Sequence, residues 1–321
     1  MTLRLGIDLG GSGSRLAVVG GAGPRRELAG ERVGVTGSGS SAPATALALL
    51  RAAREQWPDD VAAVEGVGLG STGLGTLVAD PAALAVALRA ELESARPADA
   101  SAPAVAVAID AVTAHLGALG GESGAIVALG TGAIAFGSDG HGIWHRVDGW
   151  GHLLGDRGGG AWIGRRGLEA ALLAHDGVDA SGAALLAAAR ARFGEPLGWP
   201  AQLYTRDDRA GVLASFVPDV VALAAEGDGA ALAIVSQAGA EAARSAAAAL
   251  VPGLAPRVAA TGGLFSAGGT LVERFGATLA ALRPDAEVRA PLGDPLDGAL
   301  LLAERAARGE LVARAPSLWL G

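Results

Sequence analysis

The sequence of 321 residues contains no cysteine, no lysine and no asparagine, so all 25 of its basic side chains are arginines. The absence of cysteine excludes disulfide bonds, thiolate catalysis, iron–sulfur clusters and zinc sites with cysteine ligands. The absence of lysine excludes Schiff-base chemistry and a Walker-A nucleotide site, which needs a lysine at the phosphates. The missing residue types therefore discard many classes of enzyme.

Charge and long apolar runs are also scarce. Charged residues make up 18% of the chain, the net charge is −8, and the arginines are dispersed, which argues against a nucleic-acid-binding surface. No apolar stretch approaches the ~20 residues of a membrane span. Residues 1–9 show no cationic start of a signal peptide. We expect a cytoplasmic protein that binds neither nucleic acid nor a membrane.

The pattern of predicted elements occurs twice along the chain. Each half opens with strand, glycine turn, strand, turn and strand, predicted at 3–9, 15–19 and 27–35 and again at 124–129, 133–138 and 143–147. Helices and further buried strands follow in both halves. This pattern predicts an α/β protein made of two βββαβα domains, in keeping with a length of about two ~150-residue domains.

The domain boundaries follow from this duplication. We predict a first domain over 1–110, a second domain over 111–294 with a helical insertion, and a C-terminal helix over 295–321 that packs back on the first domain. Helical sequence fills most of 158–251.

Glycine turns follow three of the predicted strands. Residues 10–13 (Gly-Gly-Ser-Gly) join two strands with little side-chain obstruction, so their amides form a nest suited to phosphate oxygens. Residues 130–132 (Gly-Thr-Gly) occupy the matching place in the second half, and Gly262 and Gly263 follow a late strand. Each turn alone is also explained as an ordinary glycine turn. Two turns at equivalent positions favour a grip on one polyphosphate from both sides.

Two aspartates end predicted strands. Asp8 precedes the first glycine turn and is placed to hold Mg²⁺ through water, because Mg²⁺ keeps most of its hydration shell; the alternative is a simple turn residue. Asp110 follows an apolar strand and begins a helix, at the edge where open α/β sheets bind ligands. It is a candidate general base for an attacking hydroxyl. The competing interpretation is a helix N-cap.

A glycine-rich loop over 148–160, with the sequence DGWGHLLGDRGGG, carries the remaining candidates. Its flexible backbone and Asp156 suit hydrogen bonds to a polyol, and Trp150 supplies an apolar wall. His152 has no second histidine or cysteine at ligand spacing. We therefore interpret it as a hydrogen-bonded structural histidine rather than a metal ligand.

Taken in order, the motifs GIDLGGSGSR, the apolar strand that ends at Asp110, ALGTGA and DGWGHLLGDRGGGAWIG resemble the N-acetylglucosamine kinase and BadF/BadG-type ATPase family. This family belongs to the actin-like sugar kinase and Hsp70 superfamily. Residues 216–234 and 291–299 are similar to its later signatures, so the resemblance spans nearly the whole chain. It implies two actin-like (ribonuclease H-like) domains around a central ATP and sugar cleft, and a homodimer. The implied reaction is ATP- and Mg²⁺-dependent phosphorylation of an amino sugar at its 6-hydroxyl.

The resemblance also implies roles for individual residues. Asp110 matches the catalytic aspartate that accepts the hydroxyl proton. The ATP and phosphate positions correspond to Gly10, Gly11, Ser12, Gly13, Gly130, Thr131, Gly132, Gly262 and Gly263. The sugar positions correspond to Asp110, Thr131, Gly149, Trp150 and Asp156.

Two departures from the family pattern leave the substrate open. Gly13 stands where relatives often carry lysine or arginine, and the loop over 36–41 lacks the asparagine that many relatives place against the sugar. N-acetylglucosamine, glucosamine and another hexose therefore remain alternatives. A catalytically silent sensor of sugar or nucleotide is a further alternative, which the joint presence of Asp8, Asp110 and both phosphate turns disfavours.

Related functions are disfavoured by what the chain lacks. Activators of acyl-CoA dehydratases need a cysteine-ligated iron–sulfur cluster, and ROK-type kinases typically carry a cysteine-rich zinc motif; this chain has no cysteine. A filament-forming actin-like protein would leave the loop over 148–160 without a purpose.

Overall fold

A computed structural model describes residues 2–21, 23–36, 39–97, 100–266 and 269–321. The chain divides into two compact units, the first comprising residues 1–122 and 291–321 and the second residues 123–290. Of the loop predicted to lie near the sugar, Gly37 and Ser38 fall outside the described residues. Strands and helices are numbered below in chain order.

The first unit is built on a six-stranded sheet. In the order of pairing its strands are β13 (Leu318–Leu320), β7 (Ala104–Ile109), β6 (Val64–Ser71), β1 (Leu3–Leu9), β2 (Ser14–Val19) and β3 (Arg26–Gly30). Strands β1 to β3 form the predicted antiparallel meander, whereas β1, β6 and β7 run parallel. Almost every residue of β6 and β7 is buried, as expected for the continuous apolar runs of parallel strands.

In its described residues, the remaining elements of the first unit are a short ribbon and six helices. They are β4 (Val35–Thr36), β5 (Gly39–Ser40), α1 (Ala42–Gln56), α2 (Pro58–Ala62), α3 (Leu74–Leu77), α4 (Pro81–Glu93), α5 (Asp110–Leu119) and α14 (Pro295–Ala307). The predicted third strand covers 27–35, whereas β3 ends at Gly30. The last residue of the predicted range, Val35, instead begins the ribbon.

Helices α5 and α14 pack against each other and against β6 at distances that only glycine allows. A Cβ atom at Gly68 of β6 would lie 2.1 Å from the carbonyl oxygen of Ala299 in α14. A Cβ atom at Gly298 of α14 would lie 1.8 Å from the carbonyl oxygen of Thr113 in α5. The backbones of these elements are therefore in direct contact, and the missing side chains set the depth at which both helices lie.

This packing places α5 in the first unit, whereas the predicted first domain ended at residue 110. The C-terminal segment also differs from the prediction of one helix over 295–321. Helix α14 ends at Ala307, and residues 318–320 form β13, which pairs antiparallel with β7 at the edge of the sheet. A strand of three residues is too short for apolar alternation to reveal it in the sequence.

The second unit repeats the order of five of the six strands in the sheet of the first unit, all but β13. Its five-stranded sheet pairs β10 (Trp144–Asp148), β9 (Ala133–Ser138), β8 (Gly124–Leu129), β11 (Arg257–Thr261) and β12 (Glu287–Arg289). Strands β8 to β10 are an antiparallel meander, and β8, β11 and β12 are parallel. The two sheets confirm the predicted α/β fold class. Strand β12 was not predicted, because its three residues are all exposed and carry no apolar pattern.

Helices occupy most of 158–251 as predicted, and two more follow. They are α6 (Gly160–His175), α7 (Ala183–Phe193), α8 (Trp199–Tyr204), α9 (Arg209–Ala214), α10 (Val217–Ala225), α11 (Gly229–Ala249), α12 (Gly263–Ser266) and α13 (Thr270–Leu282). The alanine-rich α11 packs on the sheet and on α13 with its small residues buried. Large side chains such as Phe216 and Phe275 fill the space between the outer helices.

None of the described helices is by itself long and apolar enough to cross a membrane. Residues 209–225 and 229–249 reach the required length and composition only as a pair, and the chain bends by 114° between them.

The glycine contact between β6 and α14 yields a first prediction. We expect Gly68→Ala to lower the free energy of unfolding by about 1–3 kcal/mol, because the added methyl group meets backbone that cannot rotate away. Gly23→Ala, in the same unit, is the matched control, since nothing lies within 4 Å of its Cβ position; its effect should stay within about 0.5 kcal/mol. Urea denaturation followed by circular dichroism measures both, and equal stabilities would contradict the packing argument.

Candidate active site

The two candidate aspartates of the first unit lie near the carboxyl ends of its parallel strands. Asp8 of β1 is in register with Gly70 of β6, which in turn is in register with Ala108 of β7. Asp110 directly follows β7. The two aspartates are therefore two strand spacings apart, roughly 10 Å along the sheet, at the edge where α/β sheets bind ligands.

Asp110 occupies the first turn of α5 and is half-buried. Its Oδ1 accepts a hydrogen bond of 2.9 Å from the amide of Ala111, and its carbonyl oxygen accepts one of 3.0 Å from Thr113 Oγ1. The N-cap position belongs to Ile109, whose side chain caps nothing. By these bounds Asp110 is the first residue of α5 rather than its N-cap, and its carboxylate accepts a hydrogen bond from an amide of the first helical turn.

Asp8 belongs to a chain of three charged groups. Arg15 Nη2 donates to Asp8 Oδ2 at 3.0 Å, and Arg15 Nη1 donates to Asp294 Oδ2 at 2.7 Å. Burial raises the pKa of Asp8 above its usual value, although the hydrogen bond and charge of Arg15 oppose the shift. Burial alone would also raise the pKa of Asp294, but hydrogen bonds from the Asp297 amide and from Arg15 hold it below its usual value.

The first glycine turn is closed by its own backbone. The Gly10 amide donates to the Gly13 carbonyl oxygen at 2.9 Å, and the Gly10 carbonyl oxygen accepts from the Val33 amide at 3.0 Å. Among the described residues, nothing lies within 4 Å of the Cβ positions of Gly11 and Gly13. Within the described part of the chain, the amides of Gly11 and Ser12 make no hydrogen bond. These open amides are what an anion-binding turn requires.

In the second unit the turn over 130–132 lies directly against the start of α6. The Gly160 amide donates to the Gly130 carbonyl oxygen and the Ala161 amide to the Thr131 carbonyl oxygen, both at 2.8 Å. A Cβ atom at Gly132 would lie 2.5 Å from Asp156 Oδ2. The structure therefore brings this predicted phosphate turn and the predicted sugar ligand Asp156 into contact.

The predicted adenosine positions adjoin the same turn. Thr261, the last residue of β11, pairs with Ala128 of β8, so Gly262 and Gly130 follow neighbouring parallel strands. Gly262 has a φ of 97°, and a Cβ atom there would lie 2.2 Å from the Leu129 carbonyl oxygen. Only glycine fits this position. Gly263 then begins α12.

The loop over 148–157 is held closed by Asp148, whose side chain is 3% exposed. Its two carboxylate oxygens accept hydrogen bonds of 2.8 Å from the amides of Asp156 and Arg157. Asp156 in turn accepts from the Gly151 amide at 3.0 Å. Asp148 and Asp156 have φ angles of 61° and 54°, a conformation that costs energy in most residues and that aspartate tolerates better than most. Two aspartates thus determine the shape of the predicted sugar loop.

Trp150 lies on the exposed side of this loop. The guanidinium of Arg146 lies 4.6 Å from the Trp150 ring centroid and hydrogen-bonds to the carbonyl oxygens of Asp148 and Gly149. The ring is thereby oriented but 61% of Trp150 stays exposed, so its face is available to a ligand.

His152 differs from its interpretation as a hydrogen-bonded residue. In the described residues it makes no side-chain hydrogen bond. Burial and the positive charges of Arg209 and Arg165 hold its pKa below the usual value, which favours the neutral imidazole.

Sequence reasoning missed three residues that organise these positions: Arg15, Asp148 and Asp294. Arg15 and Asp294 stand 279 residues apart in the chain, and no local pattern predicts their ion pair. A signal for Asp148 did exist, because an aspartate between an apolar strand and a glycine commonly accepts amide hydrogen bonds in a turn.

Known proteins resemble this chain to different extents. A stretch of 72 residues is 40% identical to the N-acetylmuramic acid/N-acetylglucosamine kinase of Clostridium acetobutylicum, covering 22% of this chain and 24% of that kinase. The match therefore spans only about a quarter of that relative.

Solved structures match over nearly the full length. A protein of Chromobacterium violaceum, provisionally assigned as an N-acetylglucosamine kinase, is 29% identical with a TM-score of 0.69, covering 94% of this chain and 99% of its own. The ROK family glucokinase of Streptomyces griseus, solved with glucose and AMPPNP, is 19% identical with a TM-score of 0.59, covering 94% and 99%. The second likeness shows the fold alone.

A family model also matches most of the chain. The model of the BadF/BadG/BcrA/BcrD ATPase family matches residues 5–303, which confirms the resemblance inferred from the motifs. The chain belongs to the BadF/BadG/BcrA/BcrD ATPase family.

Proposed function

We propose that this protein is an ATP-dependent kinase that phosphorylates the 6-hydroxyl of an amino sugar, N-acetylglucosamine or glucosamine. The observation that carries the proposal is the repeated strand order: in each sheet the first strand, β1 or β8, is followed by a glycine turn, and in the first unit Asp110 follows β7. The family and the likeness to the Chromobacterium violaceum protein support the same reading.

The nucleotide is assigned to the glycine turns. The amides of Gly11 and Ser12, which make no hydrogen bond in the described residues, are offered to the β- and γ-phosphates, and residues 130–132 form the second phosphate loop. Gly262 and Gly263 take the adenosine side, next to that second loop. Because the chain has no lysine, backbone amides and arginines carry this recognition.

Asp110 is assigned as general base. Its carboxylate takes the proton of the sugar 6-hydroxyl as that oxygen bonds to the γ-phosphorus and the bond between the γ-phosphorus and the β,γ-bridging oxygen breaks. The products are the sugar 6-phosphate and ADP. The amide of Ala111 holds one carboxylate oxygen, which orients the group. Most of the rate enhancement would come from positioning the reactants.

The residues present fit a hydrated Mg²⁺ ion. Asp8 has a largely buried carboxylate of which only Oδ2 is engaged by Arg15. Among the described residues no group of three or more histidines, aspartates or glutamates forms a cation cage. Mg²⁺ commonly binds through one carboxylate, waters and substrate phosphates, so Asp8 is sufficient as the protein's contribution. The ion would neutralise charge that develops on the phosphates.

The sugar is assigned to Thr131, Gly149, Trp150 and Asp156 together with Asp110. Asp156 provides a carboxylate for sugar hydroxyls, and the exposed face of Trp150 suits the apolar face of the ring. Asp148 keeps both residues in place through the loop amides.

The proposal predicts turnover with an amino sugar. We expect ADP release with Mg-ATP and glucosamine or N-acetylglucosamine to exceed that with glucose at least tenfold, because the enzyme discriminates through specific polar contacts. N-acetylmannosamine and N-acetylmuramic acid complete the set, and mass spectrometry with NMR assigns the phosphorylated hydroxyl. ATP binding without turnover on any sugar would favour the sensor, and glucose as the best substrate would overturn the amino-sugar assignment.

The base assignment predicts a large effect of Asp110→Asn. We expect kcat to fall by about 10²–10⁴, because the amide cannot accept the hydroxyl proton, while the Kd for the sugar changes little. Asp80→Asn is the matched control: Asp80 also starts a helix, and its side chain accepts from the Ala83 amide at 3.0 Å. Coupled ADP release and calorimetry of sugar binding measure both variants. Turnover of Asp110→Asn close to that of Asp80→Asn would refute the assignment.

The loop geometry predicts a KM effect of Asp148→Asn. We expect KM for the sugar to rise about tenfold or more, because an asparagine oxygen can accept only one of the two amide hydrogen bonds that Asp148 accepts, and its NH2 group faces the other amide donor. Asparagine tolerates the left-handed backbone, so the change isolates the loss of the second acceptor and of the charge. Asp285→Asn, at an exposed ion pair of the same unit, should leave KM unchanged. Steady-state kinetics at saturating ATP tests this, and an unchanged sugar KM in Asp148→Asn would contradict it.

A further inference from the structure

Arg15 holds a central place among the charged groups of the first unit. It lies on β2 directly across the antiparallel pair from Asp8. Its two terminal nitrogens are divided between two carboxylates, Nη2 bonding to Asp8 at 3.0 Å and Nη1 to Asp294 at 2.7 Å. The planar guanidinium fixes the angle between these bonds, which an ammonium group would not do.

Arg15 bridges Asp8 at the near end to Asp294 at the far end, and Asp294 is rigidly held. Asp294 is the N-cap of α14 and forms a reciprocal capping box, in which its Oδ1 accepts from the Asp297 amide at 3.0 Å and its own amide donates to Asp297 Oδ2 at 2.9 Å. Helix α14 is itself fixed by the glycine contacts with β6 and α5. Asp294 therefore accepts a hydrogen bond from its own helix through Oδ1 and one from Arg15 through Oδ2, and it has little freedom to move.

The near end of the bridge leaves one oxygen of Asp8 available. Arg15 binds Oδ2, and among the described residues Oδ1 accepts no side-chain hydrogen bond. The path from α14 through Asp294 and Arg15 thus determines which way Oδ1 points. Asp8 and Asp294 carry like charges on either side of Arg15. Removing the guanidinium would therefore let the Asp8 carboxylate rotate out of the orientation that Arg15 gives it.

We infer that Arg15 is a positioning residue that orients the Asp8 carboxylate toward the hydrated divalent cation accompanying ATP. The inference rests on the proposed function, since Asp8 has its role there. Arg15 touches neither the sugar nor the reacting atoms in this assignment. Its loss should therefore weaken the use of the cation and leave sugar affinity unchanged.

A second arginine, Arg25, pairs with the start of the same helix and is a matched control. Arg25 bonds to Asp297, the other member of the capping box, and pairs with Glu27 at 2.6 Å. It thus bridges a β-strand to the start of α14 as Arg15 does, without contacting Asp8. A merely structural ion pair at Arg15 would behave like the one at Arg25.

The test compares Arg15→Gln with Arg25→Gln by two readouts. Calorimetry measures ATP binding as Mg²⁺ is titrated, without sugar, and coupled ADP release gives the Mg²⁺ dependence of turnover and the KM for the sugar. We expect Arg15→Gln to raise the half-saturating Mg²⁺ concentration about tenfold in both assays, the effect of one lost charge-assisted hydrogen bond. The sugar KM of Arg15→Gln, and both quantities in Arg25→Gln, should change less than about twofold.

A double variant with Asp8→Asn makes the inference specific. In that background Arg15→Gln should add nothing to the Mg²⁺ requirement, because the group that it orients has lost its charge. Arg15→Lys, which keeps the charge without the fork, should give an intermediate requirement and replaces Arg15→Gln if that variant does not fold.

Opposite outcomes overturn the inference. The first is an unchanged Mg²⁺ requirement in Arg15→Gln, or in Arg15→Lys if Arg15→Gln does not fold. The second is an equal rise of the Mg²⁺ requirement in Arg25→Gln. The third is an effect of Arg15→Gln on the Mg²⁺ requirement that adds to that of Asp8→Asn. The proposed function is judged separately: wild-type protein that binds Mg-ATP but phosphorylates no sugar refutes the kinase alone. Wild-type protein that does not bind Mg-ATP refutes both.

Discussion

The structure of the first unit depends on backbone contact between β6, α5 and α14. Gly68 and Gly298 remove the side chains that would otherwise separate these elements, so both helices lie at the minimum distance from their neighbours. Because α5 begins with Asp110 and α14 is capped by Asp294, the same contacts bring two carboxylates to the edge of the sheet where β1 and β7 end. The close contacts at these glycines thus determine both the helix packing and the positions of these two carboxylates.

The second unit reaches a comparable arrangement by other means. Its sheet has the same strand order, but its polar groups are organised by a loop rather than by helix starts. Asp148 is buried at a left-handed position and gathers the amides of residues 156 and 157, which brings Asp156 against Gly132. The two similar sheets therefore position their aspartates by different contacts. Helix packing positions Asp110, whereas the buried carboxylate of Asp148 positions Asp156.

Much of this could be predicted from the sequence because it is local. Apolar alternation and buried runs predicted both meanders, the central parallel strands and the helical region, and glycine after a strand marked each turn. What could not be predicted depends on residues distant in the chain or on elements too short to show a pattern. The ion pair of Arg15 with Asp294, the placement of α5 in the first unit and the three-residue strands β12 and β13 are of these kinds. The roles of the site residues stay predictions, since they concern ligands rather than the fold.

The first unit is discontinuous in sequence, and this has a consequence for biosynthesis. Residues 123–290 form one continuous unit that can fold as soon as they have left the ribosome. Residues 1–122 are made earlier, but their sheet lacks β13 and its glycine-lined face lacks α14 until residues 291–321 have been synthesised. Until then the apolar face of β1 and β6 is uncovered and open to non-native association. Of the two units, the one that carries Asp110 begins to be translated first and is completed last.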